Sequence, residues 1–215
     1  MAAIRDLLRQ VCGRAGHWTE VRYHRRQSRI LGVRKGEVSE MSSKHYEGVG
    51  LRVLIDGTWG FASTSDLTKQ GLENALKAAE QMAWQLTTRK KEKVHIPSTK
   101  KLAKGEFWLP GFEELNAKPM EEKFEFVRSS EERLRKAAPQ IEAALCQYTE
   151  VFEEKMILTT DGADSHLKLV RPELRFLAIG SDGAKRATGY DSVGSTGGWE
   201  CLFFNRSPDQ FIENA

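Results

Sequence analysis

The residues able to do chemistry in this chain are few and far apart. Its five histidines are His17, His24, His45, His95 and His166, and none has another at i+3 or i+4. No HExxH stretch is present, so the pattern that brings two imidazoles to one helix face for zinc is missing. Cys12, Cys146 and Cys201 are odd in number and widely separated, which fits neither a disulfide framework nor a metal knuckle. Cys146 lies in an apolar run and reads as a small core residue. Asp161, Asp164 and Asp182 cluster around turn signals, as turn-formers or as a carboxylate pair. There is no GxSxG elbow, phosphate loop or dinucleotide fingerprint. The residues therefore supply no catalytic group, no metal ligand set and no cofactor site. What remains is aromatic: Phe107, Trp108 and Phe112 beside Pro110-Gly111, and Trp199 in a glycine-rich stretch. Such residues either anchor a loop to a core or contact a partner or substrate.

The elements that would position them follow from periodicity. Ile4, Leu7, Leu8 and Val11 fall on one helix face, and Gly13 and Gly16 end that helix. Strand-like runs follow, with Val21 and Tyr23 on one face and a turn at Lys35-Gly36. Leu51, Val53 and Ile55 then alternate up to Asp56-Gly57, a two-residue hairpin signal. That turn pairs Ile55 with Thr58, Leu54 with Trp59, Val53 with Gly60 and Arg52 with Phe61. One face then carries the small Thr58, Gly60 and Ala62, which lets a helix approach. Thr68 caps that helix, whose apolar stripe runs through Leu72, Ala75, Leu76, Ala79, Met82, Ala83 and Leu86.

Residues 89–104, RKKEKVHIPSTKKLAK, hold seven Lys or Arg and one acid. They read as a solvated connector or as a basic patch for an acidic partner or nucleic acid; without interleaved aromatics, base stacking is disfavoured. A second helix is expected from Pro119 at N1 to about Ala138, burying Met120, Phe124, Val127, Leu134 and Ala137. Strands resume as IEAALCQYTEV, EKMILTT, SHLKLV, ELRFLAIG and AKRATGY. Gly36 and Gly162 are each followed, at the same spacing, by an Asp-Gly pair (Asp56-Gly57 and Asp182-Gly183). Leu51 and Val53 then align with Leu177 and Ile179, which suggests an internal duplication.

The expected fold is α+β: two antiparallel β-meanders packed with helices. Its parts are 1–88, helix, first meander and Ala-rich helix; 89–118, basic and aromatic connector; 119–206, helix and second meander; and 207–215, a helix starting at Ser207-Pro208. The structural turns are Asp56, Gly57, Gly60, Asp182 and Gly183. That last helix is short, so the chain is expected to be a piece of a longer protein. The length of 215 residues, 29% charged residues and net charge of +3 are those of an ordinary globular chain. MAAIRDLLRQV lacks a signal-peptide core and no run reaches the ~18 apolar residues of a membrane span, so a cytoplasmic, membrane-free protein is expected.

In order and wording, RKGEVSEMSS, then EGVGLRVLIDGTWGFASTSDLT, then the Ala-rich helix resemble the N-terminal part of the TldD/PmbA family, also called modulators of DNA gyrase. The likeness runs from about Tyr23 to Ala83, and GSTGGWE is similar to a stretch that precedes the C-terminal half of family members. The resemblance implies a zinc-dependent peptidase whose metal motif lies downstream of these residues, with zinc expected in the full-length parent and none in this chain. It implies a second TldD/PmbA-type subunit, as homo- or heterodimer, and unfolded or extended peptide as substrate. In that setting this chain would wall a chamber, pair with the other subunit and take a peptide by β-addition along an exposed strand edge. The alternatives are a module of the metal-free partner type and a gyrase- or nucleic-acid-linked regulator; nucleic acid is the least expected partner.

Overall fold

The computed structural model describes residues 2–89, 92–97 and 101–215. Residues 90, 91 and 98–100 of the basic run lie outside the described residues. In chain order the elements are α1 (Ala2–Arg14), β1 (Trp18–Arg34), β2 (Glu37–Ile55), β3 (Thr58–Thr64), α2 (Lys69–Thr87), β4 (Lys104–Trp108), α3 (Phe112–Ala117), α4 (Met120–Lys136), β5 (Ile141–Thr159), β6 (Asp164–Ser181), β7 (Arg186–Gly194) and α5 (Pro208–Asn214). The strands form one sheet in the order β3-β2-β1-β5-β6-β4, with β7 also paired to β6. The α+β reading and the two meanders, β1-β2-β3 and β5-β6-β7, are thus present.

The chain gathers into two compact units. The first comprises Met1–Arg26, Tyr46–Trp108 and Glu153–Lys168. Its core joins Leu8, Val11 and Cys12 of α1 to Val21 and Tyr23, to Leu51, Val53 and Ile55, and to Leu72, Ala75 and Ala79 of α2. The hairpin register is the one expected, Ile55 with Thr58 through Arg52 with Phe61. Its turn has positive φ at both Asp56 and Gly57, 44° and 68°, as a type I′ turn demands. Thr68 caps α2 by accepting a hydrogen bond from the Gly71 N–H. At Gly60 a Cβ would stand 1.9 Å from the Ala79 carbonyl oxygen, so only glycine lets α2 lie this close on β3. The stripe of α2 is narrower than expected, because Met82 and Leu86 are 43% and 37% exposed.

The second unit comprises Gln27–His45, Leu109–Phe152 and Leu169–Ala215. Its core joins Leu31 and Val33 to Val127 and Leu134 of α4, to Ala144, Cys146 and Tyr148 of β5, to Leu174 and Phe176 of β6, and to Phe211 of α5. Phe176 and Phe211 stack at 5.5 Å. Ser207 caps α5 in a capping box with Gln210. Pro119 stands at the N-cap of α4 rather than at N1, and Ala137 lies beyond the helix and is exposed. In their place α4 buries Lys123 and Glu131.

Three expectations need correcting. The runs IEAALCQYTEV and EKMILTT are one 19-residue strand, β5. SHLKLV and ELRFLAIG are likewise one strand, β6, which passes through Pro172. Along that side β6 pairs with β4 up to Lys168 and with β7 from Glu173, so the missing proline N–H falls in the gap. The duplication holds for the order of elements but not for residue register. In this part of β6 the buried residues are Leu174, Phe176 and Ala178, and they alternate with Leu177 and Ile179. The Asp182-Gly183 connection is also a four-residue loop, Asp182–Lys185, unlike the tight turn at Asp56-Gly57.

Candidate functional site

Strand edges are where this chain offers unspent bonding capacity, and they differ. On β3 the Phe61 N–H donates to the Met82 thioether at 3.4 Å. On β7 the Ser192 N–H donates to the Asp191 carboxylate at 2.7 Å, and Arg206 donates to the Ser192 carbonyl at 3.3 Å. Both meander edges therefore carry local caps, a common guard against unwanted pairing. Among the described residues β4 shows none, and residues 37–48 of β2, beyond the reach of β3, are also without a partner strand on that side.

No sequence signal marked β4. It pairs in parallel with β6, with Lys104 opposite Asp164, Gly105 opposite Ser165 and Phe107 opposite Leu167. The Asp164 N–H donates to the Ala103 carbonyl at 3.0 Å. In a parallel ladder the bonding residues alternate, so this register commits Gly105 and Phe107 to β6. The N–H and C=O groups of Lys104, Glu106 and Trp108 point away from it, and among the described residues no strand covers them. All five residues of β4 are exposed.

The α1-facing side of β4 is held by a compact polar set. Asp164 receives Arg5 on one oxygen (3.1 and 2.8 Å) and Arg9 on the other (2.9 and 2.7 Å). Arg5 also reaches Glu106 at 3.2 Å. Burial alone would raise the Asp164 carboxyl, but the hydrogen bonds from Arg5 and Arg9 hold it below its ordinary value. Trp108 is 59% exposed; its ring meets His166 edge-on at 6.4 Å and lies under the Lys168 ammonium at 5.1 Å. His166 is buried and shares a hydrogen bond of 2.7 Å with Glu154, whose other oxygen takes Arg25 at 2.6 Å. His24 lies 3.0 Å from Glu153.

The second unit has its own buried charge. Lys123 donates to Glu150 and to the Leu115 carbonyl, both at 2.8 Å. Arg29 and the Tyr148 hydroxyl also donate to Glu150, at 2.9 and 2.7 Å. Burial pushes the Lys123 ammonium below its usual range against the pull of Glu150. Both Glu150 oxygens are taken within the cluster, and Arg29 ties it outward to Asn116 at 3.0 Å, which marks a structural pin rather than a reactive centre.

The residues expected to meet a partner separate into two kinds. Phe107, 46% exposed, and Trp108 sit on β4. Phe112 and Trp199 instead pack against the Leu115–Phe152–Val170 cluster, with Phe112 edge-on to Phe152 at 5.2 Å and Trp199 touching Phe126 and Tyr148, each at 5.2 Å. Of the expected turn residues, Asp56 and Gly57 form the β2–β3 turn, Gly60 lies under α2, and Asp182 and Gly183 lie in the β6–β7 loop. Asp161 and Asp164 do not act as a carboxylate pair, since Asp164 is saturated by two guanidiniums. Burial lifts the Cys12 thiol up to about 11 and raises Cys146 as well, so neither is a thiolate near neutral pH.

The same architecture occurs in solved structures. A proposed modulator of a DNA gyrase from Thermotoga maritima superposes with a TM-score of 0.74 at 20% identity, over 100% of this chain and 46% of that one. TldE from Thermococcus kodakarensis gives 0.75 at 17% identity, over 99% of this chain and 46% of its own. In sequence, a metalloprotease of Methanothermobacter thermautotrophicus is 29% identical over 177 residues, 82% of this chain and 37% of the relative. A metalloprotease of Methanocaldococcus jannaschii is 20% identical over 200 residues, 93% of this chain and 42% of its own. This chain thus spans less than half the length of those curated relatives.

These likenesses define an α+β module. Residues 19–83 match the PmbA/TldA metallopeptidase domain 1, and residues 113–215 match the central domain. The chain belongs to the PmbA/TldD metallopeptidase family.

The metal which that family name implies finds no fitting donor set here. Among the described residues no three His, Cys, Asp or Glu side chains are grouped so as to hold an ion. His166 and Glu154 are spent on each other and on Arg25. No reaction step is therefore assigned to these residues. No helix among the described residues is long and apolar enough to cross a membrane.

Proposed function

We propose that this chain is the non-catalytic, substrate-holding part of a PmbA/TldD-type zinc metallopeptidase. In this reading it lines the reaction chamber, pairs with a second TldD/PmbA-type subunit and holds an extended peptide on the open edge of β4. The observation that carries it is the row of outward N–H and C=O groups at Lys104, Glu106 and Trp108, beside two edges that are capped. Such a row bonds to the backbone of a peptide and is indifferent to most of its side chains, which suits a protease of unfolded chains. Cytoplasmic location is part of the same reading.

The test is titration with a peptide of alternating valine and threonine, followed through backbone amide shifts. Shifts should centre on residues 104, 106 and 108. Glu106→Pro removes one outward N–H without touching the β6 ladder and should weaken binding about tenfold, the equivalent of one hydrogen bond of roughly 1–1.5 kcal/mol. A peptide N-methylated on the amides that face β4 should lose affinity in the same way on the unaltered protein. Shifts elsewhere, with β4 silent, would refute the assignment.

A further inference from the structure

We propose that the open edge of β4 selects extended peptides whose flanks are acidic, through Lys101 and Lys104. This rests on the peptide reading above and names the class of peptide.

The charges around β4 are unequally committed. Asp164 is filled by Arg5 and Arg9, Glu106 holds Arg5, and Asp6 holds Arg9. Lys168 stands over the Trp108 ring. Lys101 and Lys104 are exposed, and among the described residues neither has a partner. An arriving strand therefore meets three carboxylates that share two guanidiniums, and with Lys101, Lys104 and Lys168 a surface that is positive on balance. An acidic side chain on that strand gains an ion pair at Lys104, whereas a basic one meets repulsion. One face of the Trp108 ring is covered by Lys168, and a lone aromatic gives no run of stacking platforms for successive bases. The outward backbone groups match a peptide main chain and not a phosphate backbone. Peptide, rather than nucleic acid, is the occupant these features favour.

The experiment uses the full chain at low salt and three fluorescein-labelled peptides with blocked termini. Each has the same valine–threonine core, flanked by Asp, Asn or Lys. The Asp-flanked peptide should bind about threefold to tenfold tighter than the Asn-flanked one, as one or two exposed ion pairs allow, and the advantage should shrink as salt rises. Lys101→Glu with Lys104→Glu should reverse the preference towards the Lys-flanked peptide, with the melting temperature confirming a folded protein. Equal binding of all three, still weakened by Glu106→Pro or by N-methylation, would overturn the selectivity and leave the peptide reading standing. Binding of the Asp-flanked peptide that ignores both of those changes, or that oligothymidine displaces equally well, would mean simple polyanion capture and would also overturn it. No binding of any peptide would remove both proposals together.

Discussion

Asp164 shows how one side chain can hold an edge in place. It accepts hydrogen bonds from both Arg5 and Arg9 of α1, and its backbone N–H ties β6 to the residue before β4. Its carboxyl is depressed in the folded state. The stability it adds is therefore fully present above the ordinary value of 3.8 and is lost as pH falls through the lower folded value. Asp164→Asn should cost about 1–2 kcal/mol at neutral pH, judged from part-buried charged hydrogen bonds. The gap between the two proteins should close in strong acid. Urea midpoints taken across that range check both parts, and a gap that persisted in acid would rule out the carboxylate as its source.

The buried charges explain what a reading by residue type could not reach. Arg25 meets Glu154 and Arg29 meets Glu150 across more than a hundred residues of chain. Nothing local says that a carboxylate there will be covered. A faint signal did exist. Alternate residues of β5 read Ala144, Cys146, Tyr148, Glu150, Phe152, Glu154, Met156 and Leu158, two acids within an apolar row. The odd face of β1 carries Arg25 and Arg29 in the same manner.

At the scale of elements, the hairpin at Asp56-Gly57, the Thr68 cap and the start of α5 were legible because each is set by neighbours in sequence. The strand β4 was not. KGEFW has too few residues to show a period and buries none of them, so its state is decided by β6 alone. The continuity of β6 through Pro172 was hidden for a related reason: a proline looks like a break until the partner gap beside it is known. Gly60 offers the sharpest test of element packing. Gly60→Ala would place a methyl carbon against the α2 backbone, and it should destabilise the fold by about 1–3 kcal/mol, as overpacking does. Urea denaturation measures this, and an unchanged midpoint would mean that α2 does not lie on β3 as described.

At the scale of the molecule, the buried charges Lys123, Glu150, Glu154 and His166 are spent on one another or on arginines. Nothing among the described residues gathers around a common point for an ion. Added zinc should therefore leave the melting temperature unchanged, because a ligand stabilises a native state only by binding it. Chelation should have no effect either. A rise in melting temperature that saturates with zinc would reveal a site that the described residues do not account for.

The caps at Met82 and at Asp191 with Arg206 carry one more consequence. Fibrous growth requires each copy to recruit at two places, one to join and one to extend. A sheet whose β3 and β7 margins are partly occupied by its own side chains offers fewer such places. Loss of either cap should accordingly make concentrated solutions of this protein more prone to form threads.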